Sequence, residues 1–223
     1  MTFRYVPPVE LQDLKSVTHP SGKRFYTLPD GTAVPSVTTV IGAKPKQGII
    51  DWKNRVGEEE ANRVCQISCN RGTNVHTLCE RYLNNEPLGT MMPDAVEMFR
   101  SIKPILSSDI NDIFYQEQAL YSKTLGMAGR VDCVGHYKGR LAIIDFKTSK
   151  KPKKLEDIED YFIQTTAYAI MVLEMLNIKI LDSVIIMAVQ DSEPLVFHGK
   201  TKDYIAPLLD RIKFYRQLDS NQS

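Results

Sequence analysis

Apolar and polar positions change their period along the chain, and the elements follow from those changes. Residues 1–35 are rich in Pro, Gly and Thr and keep no long period. They read as short strands and turns, KRFYTL over 23–28 followed by a turn at Pro29-Asp30-Gly31. PSVTTVIG (35–42) enters a strand or a short helix. From Ile49 to Tyr82 the apolar spacing is helical: one helix over IIDWKNRVGEEEANRVCQISC (49–69), then a second, TNVHTLCERYLNNE (73–86), capped by Thr73 and ended before Pro87. Pro93 to Leu106 is a further helix, bent at Pro104.

The period then shortens to that of strands. IFYQEQALYS (113–122), GRVDCVGHY (129–137) and RLAIIDFKT (140–148) are three successive strands. LEDIEDYFIQTTAYAIMVLEML (155–176) is an amphipathic helix with acids in its first turns, where the helix dipole favours them. DSVIIMAVQ (182–190) is a strand and TKDYIAPLLDRIKFYRQL (201–218) a closing helix. Strand, crossover helix and strand in this order predict a mixed sheet with a right-handed connection, hence an α/β chain.

One stretch breaks the apolar pattern. The run Leu141 to Ile144 belongs in a core, yet it ends in Asp145, Phe146, Lys147, and Asp132 sits inside the preceding strand. Lys138-Gly139 is a plausible two-residue hairpin turn. With Tyr137 facing Arg140, Asp132 falls opposite Asp145, with Cβ atoms about 4.5–5.5 Å apart. Asp145 and Lys147, two apart, share a face. Two bare carboxylates so placed repel. Either a divalent cation lies between them, or Lys147 bridges both acids in a structural ion pair.

The size of the chain, 223 residues with 43% apolar and 25% charged residues, is that of an ordinary folded domain. A formal net charge of +1 gives no global basic signal for nucleic acid, though a local patch can still bind it. No run approaches the roughly 18 apolar residues of a membrane span, and MTFRYVPPVELQDLK lacks a signal peptide's apolar core. A cytoplasmic, unsecreted protein with reduced thiols is expected. Cys65, Cys69, Cys79 and Cys133 lack the CxxC-type spacing of a metal site.

Other elements add candidate chemistry. His76 and Glu80 are four apart on one helical face, as are Gln164 and Tyr168 on the helix after Lys147. Glu117 is an acid amid the apolar residues of its strand. Each also has an ordinary reading as a packed or surface residue. Lys147, Lys150, Lys151, Lys153 and Lys154 put five ammonium groups in eight residues. They either contact phosphates or form a solvated loop balanced by Glu156, Asp157, Glu159 and Asp160. Lys44, Lys46, Trp52, Lys53 and Arg55 mix an aromatic with bases, the combination that tracks a single strand; an amphipathic helix burying Trp52 fits equally.

Taken together, RGTNVHTLCERYL with His76, GRVD with Asp132, DFK with Asp145 and Lys147, and QTTAY with Gln164 and Tyr168 resemble the PD-(D/E)xK nuclease superfamily. Within it, the chain is most similar to RecB-like exonucleases of the mitochondrial genome maintenance type and their phage and bacterial relatives. A lone DxK says little; the ordered set carries the likeness. The resemblance implies a restriction-endonuclease-like core, αβββαβ, with a mixed central sheet flanked by helices and an N-terminal helical portion. It implies one nuclease domain over 1–223, with DNA handling in 1–70 and the catalytic core in 71–223. No presequence is evident, so a bacterial or viral enzyme is expected, with no room for an attached helicase. The cysteine pattern of the cluster-bearing branch is missing, so no iron–sulfur centre is expected.

By the same resemblance, Asp132, Asp145, the Phe146 carbonyl and His76 ligate Mg²⁺ or Mn²⁺. Lys147 positions the attacking water and stabilises developing charge. Gln164 and Tyr168 orient Lys147 or hold phosphate. Glu80 and Glu117 sit behind the ligands or hold a second metal. Arg71, at a helix start, Trp52, Lys53, Arg55, Lys150 and Lys151 contact DNA. The implied activity is a metal-dependent exonuclease acting on single-stranded or free DNA ends in repair, recombination or replication. A nicking or restriction-type endonuclease and a non-catalytic nucleic-acid-binding module are the alternatives.

Overall fold

The computed structural model describes residues 2–220. Three short strands open the chain: β1 (Ser16–Thr18), β2 (Arg24–Thr27) and β3 (Ala33–Pro35), an antiparallel meander with Val17 opposite Phe25 and Tyr26 opposite Val34. The expected turn is present. Asp30 Oδ1 accepts the Thr32 N–H at 3.0 Å, and Gly31 takes the positive φ that the bend requires. Ser36 then caps α1 (Val37–Gly42), its Oγ accepting the Thr39 N–H at 3.0 Å. The short helix, rather than a strand, is the outcome for this stretch.

The next helices differ from the expectation. The break falls at Gly57, between α2 (Gln47–Val56) and α3 (Glu58–Leu83), and not at Thr73. Gly57 has φ 85°, which ends α2, and Glu58, Glu59 and Glu60 then favour a fresh helix start. Thr73 caps nothing: its carbonyl accepts the Thr77 hydroxyl inside α3. The boundary drawn at 70/71 therefore lies within a continuous helix. α4 (Pro93–Asp109) begins with Pro at its first turn and runs on through Pro104.

The sheet follows: β4 (Ile110–Ser122), β5 (Met127–Tyr137), β6 (Arg140–Ser149), then a 3₁₀ turn and α5 (Glu159–Leu176), β7 (Asp182–Val189), β8 (Leu195–Lys200) and α6 (Ile205–Ser220). The strand order is β4-β5-β6-β7-β8, antiparallel throughout except for the β6–β7 pair, which α5 connects in parallel. The expected α/β architecture, a mixed sheet flanked by helices in the order αβββαβ, is thus present. β8 has no counterpart in the sequence reading. It is a short edge strand after Pro194 with no fully buried residue, so its hydrophobic alternation is faint.

Side chains of β6 alternate between two cores. Ile144 and Phe146 pack with Val75, Leu78, Phe99 and Ile102 of α3 and α4. Ile143 packs on the other face with Ile163 and Ala167 of α5 and with Leu208 and Ile212 of α6. Asp145 and Lys147 share the parity of Ile143, so they point toward α5. Tyr26, Leu28 and Val34 of the opening meander pack on Ala119 and Ala128, which sets that small sheet beside β4 and β5.

Candidate active site

The site grows out of an interruption in the sheet. Lys138 and Gly139 both take positive φ, making the expected two-residue turn, and the register runs from Tyr137–Arg140 to Cys133–Ile144. One further step would pair Asp132 with Asp145, and there the ladder stops. Asp132 Oδ2 instead accepts the Phe146 backbone N–H at 2.8 Å. The other side of β5 repeats the pattern. Gln116 pairs with Cys133 and Gln118 with Val131, so Glu117 lies opposite Asp132 without a ladder pair between them. Glu117 adopts φ 45°, a left-handed conformation that costs a non-glycine residue about 1–3 kcal/mol.

Three neighbouring strands therefore bring three acids to one level, with Asp132 in the middle. His76, from α3, places Nδ1 3.5 Å from Asp132 Oδ2. Ligand-type atoms of His76, Glu117 and Asp132 all lie within 4.8 Å of one another, a donor set that fits a hard divalent cation. Burial, with the Asp132 and Glu80 charges adding, pushes the Glu117 carboxyl up to about 8. Burial is the larger cause, and the Arg130 guanidinium opposes it only in part. Glu117, expected behind the ligands or beside a second metal, stands with His76 and Asp132 as a direct ligand candidate.

Asp145 has a different neighbourhood. It is 1% exposed, its Oδ2 lies 2.5 Å from Lys147 Nζ, and its Oδ1 accepts Gln164 Nε2 at 3.1 Å. Burial raises its pKa against the opposing pull of Lys147. For Lys147, burial acts to lower the pKa, but attraction to Asp145 and Asp132 prevails and holds it above the ordinary lysine value. Asp145 is thus foremost the partner of Lys147. Gln164, expected to orient Lys147 or hold phosphate, donates its hydrogen bond to Asp145. The Phe146 N–H points to the β5 side, and in an extended strand the carbonyl of the same residue points that way too.

α5 supplies the rest of this wall. Tyr168 lies over Gly129, where a Cβ would come within 2.9 Å of its Cε1, and lines the cleft beside Gln164. Only glycine fits the GRVD motif there. Tyr161, which sequence reasoning did not single out, lies with its ring centroid 5.1 Å from Lys147 Nζ and 5.5 Å from Lys153 Nζ. Its spacing of three from Gln164 was the available signal. A cleft of about 560 Å³ opens onto His76, Glu80, Glu117, Asp132, Lys147, Gln164 and Tyr168, with Arg24, Ser36 and Thr38 on the facing wall.

Residues 91–191 match the profile of the PD-(D/E)XK nuclease superfamily. Over that span, a little under half of the chain, it is similar to nucleases of that superfamily. The matched span holds Glu117, Asp132, Asp145, Lys147, Gln164 and Tyr168, whereas His76 lies outside it and joins the site through α3. The chain is also similar to mitochondrial genome maintenance exonuclease 1: 28% identical to the mouse protein over 86% of this chain and 61% of that one. It is 27% identical to the human protein over 85% and 60%, and 28% identical to the Xenopus tropicalis protein over 87% and 63%. The chain thus spans about three-fifths of the length of these relatives. A solved Eubacterium rectale structure, assigned provisionally as an exonuclease, aligns with a TM-score of 0.45 and 16% identity, over 65% of this chain and 63% of that one.

The remaining expected DNA contacts lie outside this cleft. Arg71 is not at a helix start: it sits mid-α3 and nine-tenths buried, its Nη1 donating to Gln190 Oε1 at 3.0 Å, so the helix-terminus argument for phosphate does not apply to it. Trp52, Lys53 and Arg55 lie on α2, which has no fully buried residue; Trp52 is half-buried. Lys150 and Lys151 are exposed after β6. All four cysteines are free, and burial pushes the Cys79 and Cys133 thiols up, away from the thiolate a metal would need. Among the described residues no helix is long and apolar enough to cross a membrane.

Proposed function

We propose that the chain is a metal-dependent DNA exonuclease that hydrolyses phosphodiester bonds at single-stranded ends. The observation that carries the proposal is the meeting of His76, Glu117 and Asp132 beside the Asp145–Lys147 pair in one cleft. The superfamily match and relatives that are named exonucleases support the reading. His76, Glu117 and Asp132 hold Mg²⁺ or Mn²⁺, with the Phe146 carbonyl on the same side of β6. A bound cation supplies an acidified water and offsets phosphate charge. Lys147 donates from a protonated Nζ to oxygens that gain negative charge during bond cleavage. Asp145 keeps that ammonium in place, Gln164 holds Asp145, and Tyr168 closes the cleft wall beside them.

One feature favours a single strand. The exposed α2 offers Trp52 with Lys53 and Arg55, an aromatic among cations, for strand tracking, and Lys150 and Lys151 extend the basic surface next to β6. A cytoplasmic setting accords with four free thiols. Roles in repair, recombination or replication fit the same chemistry.

The test uses end-labelled single-stranded DNA with Mg²⁺ or Mn²⁺, and EDTA as control. Label at each end reads polarity. Digestion of linear strands that leaves covalently closed circles intact supports the exonuclease. Cutting of circles indicates a nicking or restriction-type endonuclease, and binding without cleavage a non-catalytic module; either outcome sinks the proposal.

A further inference from the structure

Resting on that reading of the metal site, we infer that Arg130 is a positioning residue for it, with Asp13 as its anchor. Together they hold Glu117 in the left-handed conformation that turns its carboxylate toward His76 and Asp132. At Glu117 the backbone leaves the ladder, between the pairs Gln116–Cys133 and Gln118–Val131. A partly buried carbonyl withdrawn from a ladder needs another donor. Arg130 provides it: its Nη1 donates to the Glu117 carbonyl oxygen. Arg130 lies on β5 opposite Ala119, two residues from Glu117, so the guanidinium reaches across the strand pair to that oxygen.

The other end of the guanidinium is fixed as well. Arg130 Nη2 lies 2.8 Å from Asp13 Oδ1 and 3.0 Å from Oδ2. Asp13 belongs to a segment that runs along β4 and is tied to it independently. Val6 N–H donates to the Ile113 carbonyl and Ile113 N–H to the Arg4 carbonyl, each at 2.8 Å, and Tyr115 Oη donates to the Val9 carbonyl at 2.7 Å. Asp13 thus presents a carboxylate from a fastened segment, and Arg130 transmits its position to Glu117. The guanidinium charge also opposes the repulsion that the neighbouring acids exert on Glu117. Groups that orient a metal ligand from behind typically contribute about 10–100-fold in metal affinity.

Mn²⁺ binding to the DNA-free protein, read by loss of the free-ion EPR signal, tests the inference with Arg130→Ala, Arg130→Lys and Asp13→Asn. Arg130→Ala is expected to weaken Mn²⁺ binding about tenfold or more. Arg130→Lys, one point donor in place of a fork, should fall between it and the wild type. Asp13→Asn, on an exposed side chain, should weaken binding a few-fold. Saturating Mn²⁺ should restore DNA digestion in all three, which a loss of fold would not permit. Unchanged Mn²⁺ affinity in Arg130→Ala and Asp13→Asn overturns the inference, as does activity that excess Mn²⁺ fails to restore in Asp13→Asn. Failure of the wild type to bind Mn²⁺ overturns instead the metal reading beneath it.

Discussion

Phe146 donates its backbone N–H to a side-chain oxygen of Asp132 at the step where β5 and β6 cease to pair main chain to main chain. One residue thereby ends a ladder and satisfies the strand it ends, leaving the second oxygen of Asp132 for other work. Removing the acceptor separates these roles. Asp132→Asn keeps a carbonyl for Phe146; Asp132→Ala leaves a buried N–H without a partner. Urea unfolding in EDTA should find the alanine variant about 1–3 kcal/mol less stable than the asparagine variant. Both should have lost DNA digestion.

Lys147 and Asp145 form a buried pair, and such pairs are asymmetric. Removing one member leaves an uncompensated charge, costing about 3–5 kcal/mol, while neutralising both is mild. Lys147→Ala should accordingly be destabilised by that amount. Lys147→Met combined with Asp145→Asn should recover most of the stability and none of the activity. Thermal melting beside a labelled-strand assay checks both halves.

The raised Glu117 carboxyl links metal binding to pH. In the metal-free protein Glu117 holds its proton to about pH 8, against an ordinary value near 4.5. Its contribution to folding stability is therefore complete below pH 4.5 and is lost as pH rises toward 8, because the folded state binds the proton more tightly across that window. A cation that needs the carboxylate must expel this proton. Mn²⁺ affinity should rise with pH by up to about tenfold per unit below pH 8 and flatten above it. Glu117→Gln should bind more weakly and lose that part of the slope; calorimetry in buffers of different ionisation enthalpy counts the proton.

Tyr168 over Gly129 gives a packing prediction. In Gly129→Ala the new methyl meets Tyr168 and, at 3.1 Å, Val37 Cγ2. Overpacking of this kind costs about 1–3 kcal/mol. Because Tyr168 lines the cleft beside Gln164, which bonds Asp145, kcat should fall as well, with KM for DNA changing less.

Tyr161 faces Lys147, with its ring centroid 5.1 Å from Nζ. Tyr161→Phe retains the ring and should keep most of the activity, whereas Tyr161→Leu removes a contribution of about 0.5–2 kcal/mol to the placement of Lys147 and should lower kcat several-fold. Steady-state digestion of a labelled strand distinguishes the two variants.

Much of the five-stranded sheet was legible because turn length fixes parity. A two-residue turn at Lys138-Gly139 sets which positions oppose, and from that alone Asp132 and Asp145 meet and Lys147 shares Asp145's face. What stayed hidden depended on departures from regularity. Thr73 is a good cap residue by type, but Gly57 carries the positive φ that breaks the helix, so His76 rides on a longer α3 than expected. Glu117 looks like any strand acid until its backbone turns out of the ladder. Tyr161 and Arg130 act through contacts across elements, which local spacing does not encode. β8 lacks the alternation that marks a half-buried strand.

On the proposed reading, His76, Glu117 and Asp132 grip one divalent cation beside Lys147. Anomalous diffraction from a crystal soaked in Mn²⁺ tests it most directly. The account predicts a peak within coordination distance of all three side chains, lost in Asp132→Asn. A peak bound only by Asp145, or none near Glu117, would contradict it.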